Sequence, residues 1–199
     1  SDWIDNGFTG ENDALGGHDT GAFRVQFLWQ ASERFSALLN LPGWELDGTA
    51  RVFRANILKP GSNDLASGFS QDKVYQDGLN DQEISSQGGA FTLNYEFDFG
   101  TLTAITGYET LDTFSRGDID GGFGAVFAPP SGPGFIPFPS ESADGLPELD
   151  QFTQEIRLAS DTGGAWDWLV GFFYFDESLT AETFSFNSLR SRCVDDDVL

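Results

Sequence analysis

Asp118 and Asp120 stand one residue apart in front of Gly121 and Gly122, and carboxylates in a glycine-rich turn are what hard-cation sites use. The stretch lacks the further oxygen ligands and the closing glutamate of a calcium-loop motif, so it reads as an acidic turn and no metal site is assigned. Asp195-Asp196-Asp197 reads the same way, as a solvated acidic run. Catalysis finds no foothold. His18 is the only histidine, Cys193 sits in an acidic setting unsuited to a reactive thiolate, and no serine has a base near it in sequence. The expectation is a non-enzyme without a cofactor. Binding is left. Phe123, Phe127, Phe135 and Phe138 are spread among Pro129-Pro130 and Gly132-Pro133-Gly134, a run that cannot form regular strand. Such rings must be covered by something. Either they fold over a mouth and line a ligand vestibule, or they pack on neighbouring loops; Arg116 suits either arrangement. Arg116, Phe123, Phe127, Phe135 and Phe138 are therefore the candidate ligand-binding residues.

The composition limits the partners. With 32 acidic residues against 10 basic ones, a formal net charge of −22, nucleic acid would be repelled. The single cysteine cannot form an internal disulfide. No run of about 18 apolar residues exists, so no transmembrane helix is expected. The first residues, Ser1-Asp2-Trp3-Ile4-Asp5, carry no signal pattern, and the absence of methionine suggests an internal segment of something longer.

The elements that must position those loop residues are strands. Period-two alternation recurs in three pairs of runs. In 22–30, Phe23, Val25, Phe27 and Trp29 oppose Arg24, Gln26 and Gln30, with Leu28 as the exception. A short turn at Ala31-Ser32-Glu33 leads into 34–41. Runs 90–98 and 101–110 are joined at Phe99-Gly100, and 151–159 and 165–176 at Asp161-Thr162-Gly163-Gly164. In the last, Trp166, Trp168, Val170, Phe172 and Tyr174 share a face. Gln154 is the awkward residue, in phase with Phe152, Ile156 and Leu158. The connections are unequal: short turns at one end, and at the other the long stretches 47–88 and 111–150. Loops of compact domains usually run about 4–6 residues, whereas membrane barrels pair short periplasmic turns with long extracellular loops. Each alternating run is close to the about 9–11 residues of a membrane-spanning strand. The fold expected is all-β: an antiparallel, up-and-down transmembrane β-barrel segment of about six strands, in three hairpins, with long extracellular loops. A soluble sandwich, in which the apolar faces pack on each other, is the alternative.

Several strings resemble the barrel of TonB-dependent outer-membrane receptors. Phe152-Thr153-Gln154-Glu155-Ile156-Arg157-Leu158 is similar to that family's F-[ST]-Q-E-[FIL]-R-L strand, and Trp166 to Tyr174 to its aromatic return strand. Leu102-Thr103-Ala104-Ile105-Thr106-Gly107-Tyr108 resembles its L-x-S-I-T-[GA]-[YW] strand, with Ala104 where serine is usual. The resemblance implies residence in the outer membrane of a Gram-negative bacterium and, in the intact receptor, energised import of a siderophore or other bulky nutrient. It also implies the partners: the remainder of the barrel and its plug, TonB through that plug, outer-membrane lipid, and a small-molecule or chelate substrate. No plug-like region, TonB-contacting segment or closing aromatic strand is found in the sequence, so residues 1–199 are expected to supply part of a barrel. A passive porin-type barrel, or a secreted β-domain binding a cation or carbohydrate, are the other readings.

Overall fold

The computed structural model describes residues 1–123, 126–127, 134–135, 138–161, 163 and 165–187. Cys193, Asp195 to Asp197 and prolines 129, 130 and 133 lie outside the described residues. The strands among them are, in chain order, β1 (Ile4–Asn6), β2 (Glu11–Leu15), β3 (His18–Ser32), β4 (Phe35–Gly48), β5 (Lys73–Val74), β6 (Asp81–Phe97), β7 (Gly100–Asp118), β8 (Val126–Phe127), β9 (Gly134–Phe135), β10 (Ser140–Ser160) and β11 (Leu169–Asn187). The long ones form a single six-stranded antiparallel sheet in the order β11-β10-β7-β6-β4-β3, an up-and-down meander. Two small sheets, β2-β1-β5 and β8-β9, stand apart from it. The chain is all-β, and the sheet is open, with β3 and β11 at its edges.

Register keeps one face apolar across the whole sheet. Trp29 lies opposite Ala37, Ala37 opposite Leu93, Leu93 opposite Ala104, Ala104 opposite Ile156 and Ile156 opposite Phe172. The neighbouring row on the other face runs Gln30, Ser36, Asn94, Thr103, Arg157. There the polar groups find each other: Thr103 Oγ1 donates to Asn94 Oδ1 at 2.9 Å, and Arg157 pairs with Glu155 at 3.0 Å. Nothing in the described chain covers the apolar face; Phe27 and Phe172 are 65% and 61% exposed. Aromatic rings gather at its tight-turn margin, where Trp29 meets Phe35 edge-on at 5.7 Å and Tyr95, Phe97 and Phe99 follow one another at 4.6 and 5.2 Å. Gly43, opposite Phe23, is overlain by that ring, and a Cβ there would come within 2.5 Å of it.

Gln154 is accommodated on this face. Its Oε1 accepts the Thr106 hydroxyl at 2.7 Å, and its amide donates to the Ile105 carbonyl at 3.0 Å. Thr106 is its cross-strand neighbour, so one polar pair satisfies itself in an otherwise apolar row.

The strands run further than alternation shows. Residues 81–88, 111–118 and 140–150, placed in long loops by their sequence, are strand, and the connections shrink to 49–80 and 119–139. These extensions mix polar residues with scattered apolar ones such as Ile84, Leu111, Phe114 and Leu149, so no regular alternation marks them; partner strands of equal reach supply the backbone ladder instead. The last strand starts at Leu169, not at residue 165. Its partner β10 ends at Ser160, which bonds to the Trp168 carbonyl at 2.8 Å, so earlier residues have no ladder to join. In β10 an extra residue is accommodated between Gly145 and Glu148, where Pro147 has no N–H to give.

The Thr106–Gln154 pair gives a clean test. Thr106→Val leaves Gln154 Oε1 unpaired on the apolar face and should destabilise the refolded sheet by about 1–3 kcal/mol, whereas Thr106→Val with Gln154→Leu should be near neutral. Urea titration of the chain in detergent micelles, read as a double-mutant cycle, measures the difference.

Candidate functional site

At the long-loop end, three separated stretches build a small lobe: 1–17, 49–80 and 119–123. Parallel pairing of β1 with β5 joins the first two, through Asp5 N–H to the Asp72 carbonyl at 2.8 Å and Gly7 N–H to Val74 at 2.7 Å. The third is laced in by Phe123 N–H to Tyr75 at 2.7 Å and by Ala55 N–H to Gly121 at 3.0 Å. Ile4, Val74 and Ala50 are buried between them. Gln76 acts as a polar core residue. Its carbonyl accepts the Asn6 amide at 2.9 Å and its side chain accepts from Asn80 at 3.4 Å.

Into this lobe β7 sends its last residue. One carboxylate oxygen each of Asp77, Asp118 and Asp120 lies within 4.8 Å of the other two. Asp118 is fully buried and Asp120 nearly so. The Asp118 Oδ2 accepts the backbone N–H groups of Asp77 and Gly78 at 3.2 and 3.3 Å, and Asp120 Oδ1 accepts that of Gly122 at 2.9 Å. Asp118 Oδ1 and Asp77 Oδ1 are buried with no hydrogen-bond partner. No ion pair among the described residues reaches the three carboxylates. Arg116 is committed elsewhere, bonded to Glu141 at 2.5 Å and stacked 4.1 Å above the Phe186 ring.

Two like charges about 4 Å apart repel by roughly 4 kcal/mol at an effective dielectric constant near 20. Protons relieve part of that. Burial, then the hydrogen bond to the Asp118 carboxyl, pushes Asp120 up to about 7 against the opposing pull of the Gly122 N–H. Burial and the Asp118 charge raise Asp77 as well. Oxygen donors in this arrangement can hold a proton or a hard cation.

Beside the carboxylates, across Gly121, lies an open groove of about 290 Å³ lined by Arg54, Phe69, Lys73, Tyr75 and Phe123. Arg54 is held by the carbonyls of Ser70 and Gln71, and the Lys73 ammonium sits 5.5 Å over the Tyr75 ring. Two cations among aromatic rings suit an anionic ligand with a flat apolar part.

Of the sequence candidates, Phe123 lines this groove with its ring 5.3 Å from Phe8. Arg116 lies outside the groove, in its pair with Glu141. Phe138 is half-buried, and Phe127 and Phe135 belong to the β8–β9 ladder, their rings outside the described residues. The stretch Asp118 to Gly122, expected to be a solvated acidic turn, is largely buried, because the 49–80 connection folds over it. Its third carboxylate, Asp77, comes from 41 residues away, and Arg54, Lys73 and Tyr75 were equally invisible as a group. Asp-Gly recurs at 77–78 and 120–121 but also at 47–48 and 144–145, so the dipeptide singles out no cluster. No family model, no curated protein and no solved structure matches this sequence.

Gly122 has φ +102°, and a Cβ there would meet the Tyr75 carbonyl oxygen at 2.4 Å. Gly122→Ala should loosen the lobe by about 2 kcal/mol or more, read as a roughly 30-fold loss of hydrogen-exchange protection at the Phe123 amide. The pH dependence has a definite sign. The folded lobe keeps the Asp120 proton that the unfolded chain releases above an ordinary 3.8. In buffer free of divalent cations, protection is therefore greatest below about pH 4, falls as pH rises towards 7, and levels off beyond.

Proposed function

We propose that this chain is a section of the wall of an outer-membrane β-barrel of the TonB-dependent receptor type, whose intact form imports a siderophore or other bulky nutrient. One observation carries the reading: a charge-free apolar face that spans all six strands and is covered by nothing among the described residues. On β3 that face is free of charge from Gly21 to Trp29, and on β7 from Gly100 to Thr110, close to the about 9–11 residues of a spanning strand. A bare face of this size in water would aggregate; in hydrocarbon it is the required surface.

The way the apolar zone ends gives further support. On that face the first acidic residue is Asp176 on β11, Asp150 on β10, Asp112 on β7 and Glu83 on β6. Through their partners these stand level with Tyr108, Thr110, Asp112 and Phe114 of β7, a climb of two residues per strand from β11 to β6; on β4 the boundary drops back, Glu45 standing level with Asp112, and on β3 Asp19 stands level with Phe114. Two residues are about 6–7 Å along a strand, against about 4.8 Å between strands. A flat boundary cut across strands tilted by about 50° steps in this way, and barrel strands tilt by roughly 35–45°. Residues of one face are spaced in twos, so the step cannot fall between. The unpaired edges of β3 and β11 then take neighbouring barrel strands, since lipid tolerates no open edge. The basic, aromatic groove at Arg54, Lys73 and Phe123 is the ligand-facing part on this reading.

Site-specific labels test it. In a Cys193→Ser background refolded into lipid vesicles, labels on Leu93→Cys, Ile156→Cys and Phe172→Cys should be quenched by brominated lipid. Labels on Asn94→Cys, Arg157→Cys and Gln26→Cys should instead be reached by an aqueous quencher. A chain that folds in water without detergent, with the Leu93 and Phe172 positions shielded from both quenchers, would sink the reading in favour of a soluble domain. For the importer itself, nutrient uptake by the intact receptor in cells should collapse when TonB is deleted; uptake that persists points to a passive barrel.

A further inference from the structure

We infer that Asp77, Asp118 and Asp120 form a calcium site that fastens the loop lobe to the outer end of β7. The inference does not rest on the membrane reading, because the lobe stands clear of the apolar face.

Proximity of acids alone would carry nothing; the state of Asp118 does. It is fully buried, its Oδ2 is taken by the N–H groups of Asp77 and Gly78, and its Oδ1 meets no N–H, hydroxyl or cationic donor, so that only a protonated neighbouring carboxyl or an ion can answer it. A buried carboxylate oxygen with no partner is a costly thing to leave in a fold, and a bound ion is one of the few explanations. Asp77 Oδ1 is in the same condition. No ion pair among the described residues answers the three charges: Arg116 is used by Glu141, and the Arg54 guanidinium is held by the Ser70 and Gln71 carbonyls. Backbone N–H groups orient the carboxylates without neutralising them.

The irregular oxygen set favours calcium over magnesium, which demands a near-ideal octahedron. Calcium takes oxygens at about 2.3–2.6 Å, so ligands on opposite sides of the ion stand up to about 5 Å apart; magnesium, at about 2.0–2.1 Å, brings them within about 4.2 Å. Oxygens that lie within 4.8 Å of one another fall inside the span of a shared calcium. Carbonyls and water fill the remaining positions, as calcium's flexible geometry allows. Such an ion joins the loop before β6 to the end of β7 and to the turn that leads to Phe123, so it also sets one wall of the groove.

Calorimetric titration of the full chain in detergent micelles with calcium chloride tests this. One calcium per chain should bind, with a dissociation constant between about 10⁻⁵ and 10⁻³ M. Protection of the Gly122 and Phe123 amides should rise with it. Asp120→Asn should weaken binding at least tenfold, while Asp64→Asn, an exposed acid of the same lobe, should leave it unchanged. Should Asp120→Asn lose the lobe, as judged by the Gly7 amide, Asp77→Asn gives the same comparison, since its Oδ1 makes no hydrogen bond to lose. No calcium-dependent heat up to about 10 mM, above the weakest extracellular-module range, overturns the inference. So does binding that both variants leave intact. Magnesium binding of equal strength overturns the choice of calcium.

Discussion

In a pleated sheet a slip of one residue exchanges the two faces of a strand, and the faces of this sheet could hardly differ more. One row reads Trp29, Ala37, Leu93, Ala104, Ile156, Phe172; the row beside it, on the other side, reads Gln30, Ser36, Asn94, Thr103, Arg157. A slip at any one of the five strand pairings would push charged or amide groups into the apolar row. The tight turns at Ala31 to Arg34 and at Asp98-Phe99 pin the register locally, and the Arg34–Asp98 ion pair at 2.7 Å ties those two turns together. That pair is exposed, so its energetic contribution is small; its use is positional. The Thr106–Gln154 bond works against slippage in a different way, because a shifted Gln154 would have no partner on the apolar face.

The same register, carried outward, places the lobe. Beyond the apolar zone the ladder continues through polar residues, and the extra residue at Pro147 offsets β10 against both its neighbours at once. After that offset Glu141 comes opposite Asp118, and Ala143 opposite Arg116. Like charges opposite each other on adjacent strands are unfavourable. The structure answers with Arg116, which reaches diagonally to Glu141 and leaves Asp118 to the backbone of the 77–78 turn. An unshifted β10 would turn Glu141 to the other face, and Arg116 would be free to neutralise Asp118 instead. The register shift at Gly145 to Leu149 thus decides which acid Arg116 answers.

What the sequence made legible follows from where burial differs between faces. Alternation marks 22–30, 34–41, 90–98, 101–110 and 151–159 because one side of each is apolar, and those spans lie within strands of the structure but for Arg34 and Asp98, which fall in the turns. It is silent over 81–88, 111–118 and 140–150, where neither side is consistently apolar and backbone pairing decides. The lobe was hidden for another reason. Its strands are two to five residues long, one pairing is parallel, and its partners lie as far apart in sequence as Asp5 and Lys73. No short-range pattern encodes a contact of that reach. Gln76, buried and hydrogen-bonded on both sides, looks in sequence like any other exposed glutamine of a loop.

The acidity of this chain then divides into two populations with different physics. Asp19, Asp47, Asp112 and Asp150 are charges on strand surfaces or edges, which ions of the medium can screen over about 8–10 Å. Salt disposes of their repulsion without any particular site. Asp118 and Asp120 are removed from that medium, and mobile ions outside the lobe screen them far less. Their repulsion yields only to a group that enters, and two kinds can: a proton, towards which burial pushes Asp120 and Asp77, or a metal ion. A proton satisfies one oxygen and loses its hold as pH passes 7. A divalent ion satisfies three carboxylates together and holds more strongly as they ionise, so the two occupants are favoured at opposite ends of the pH range.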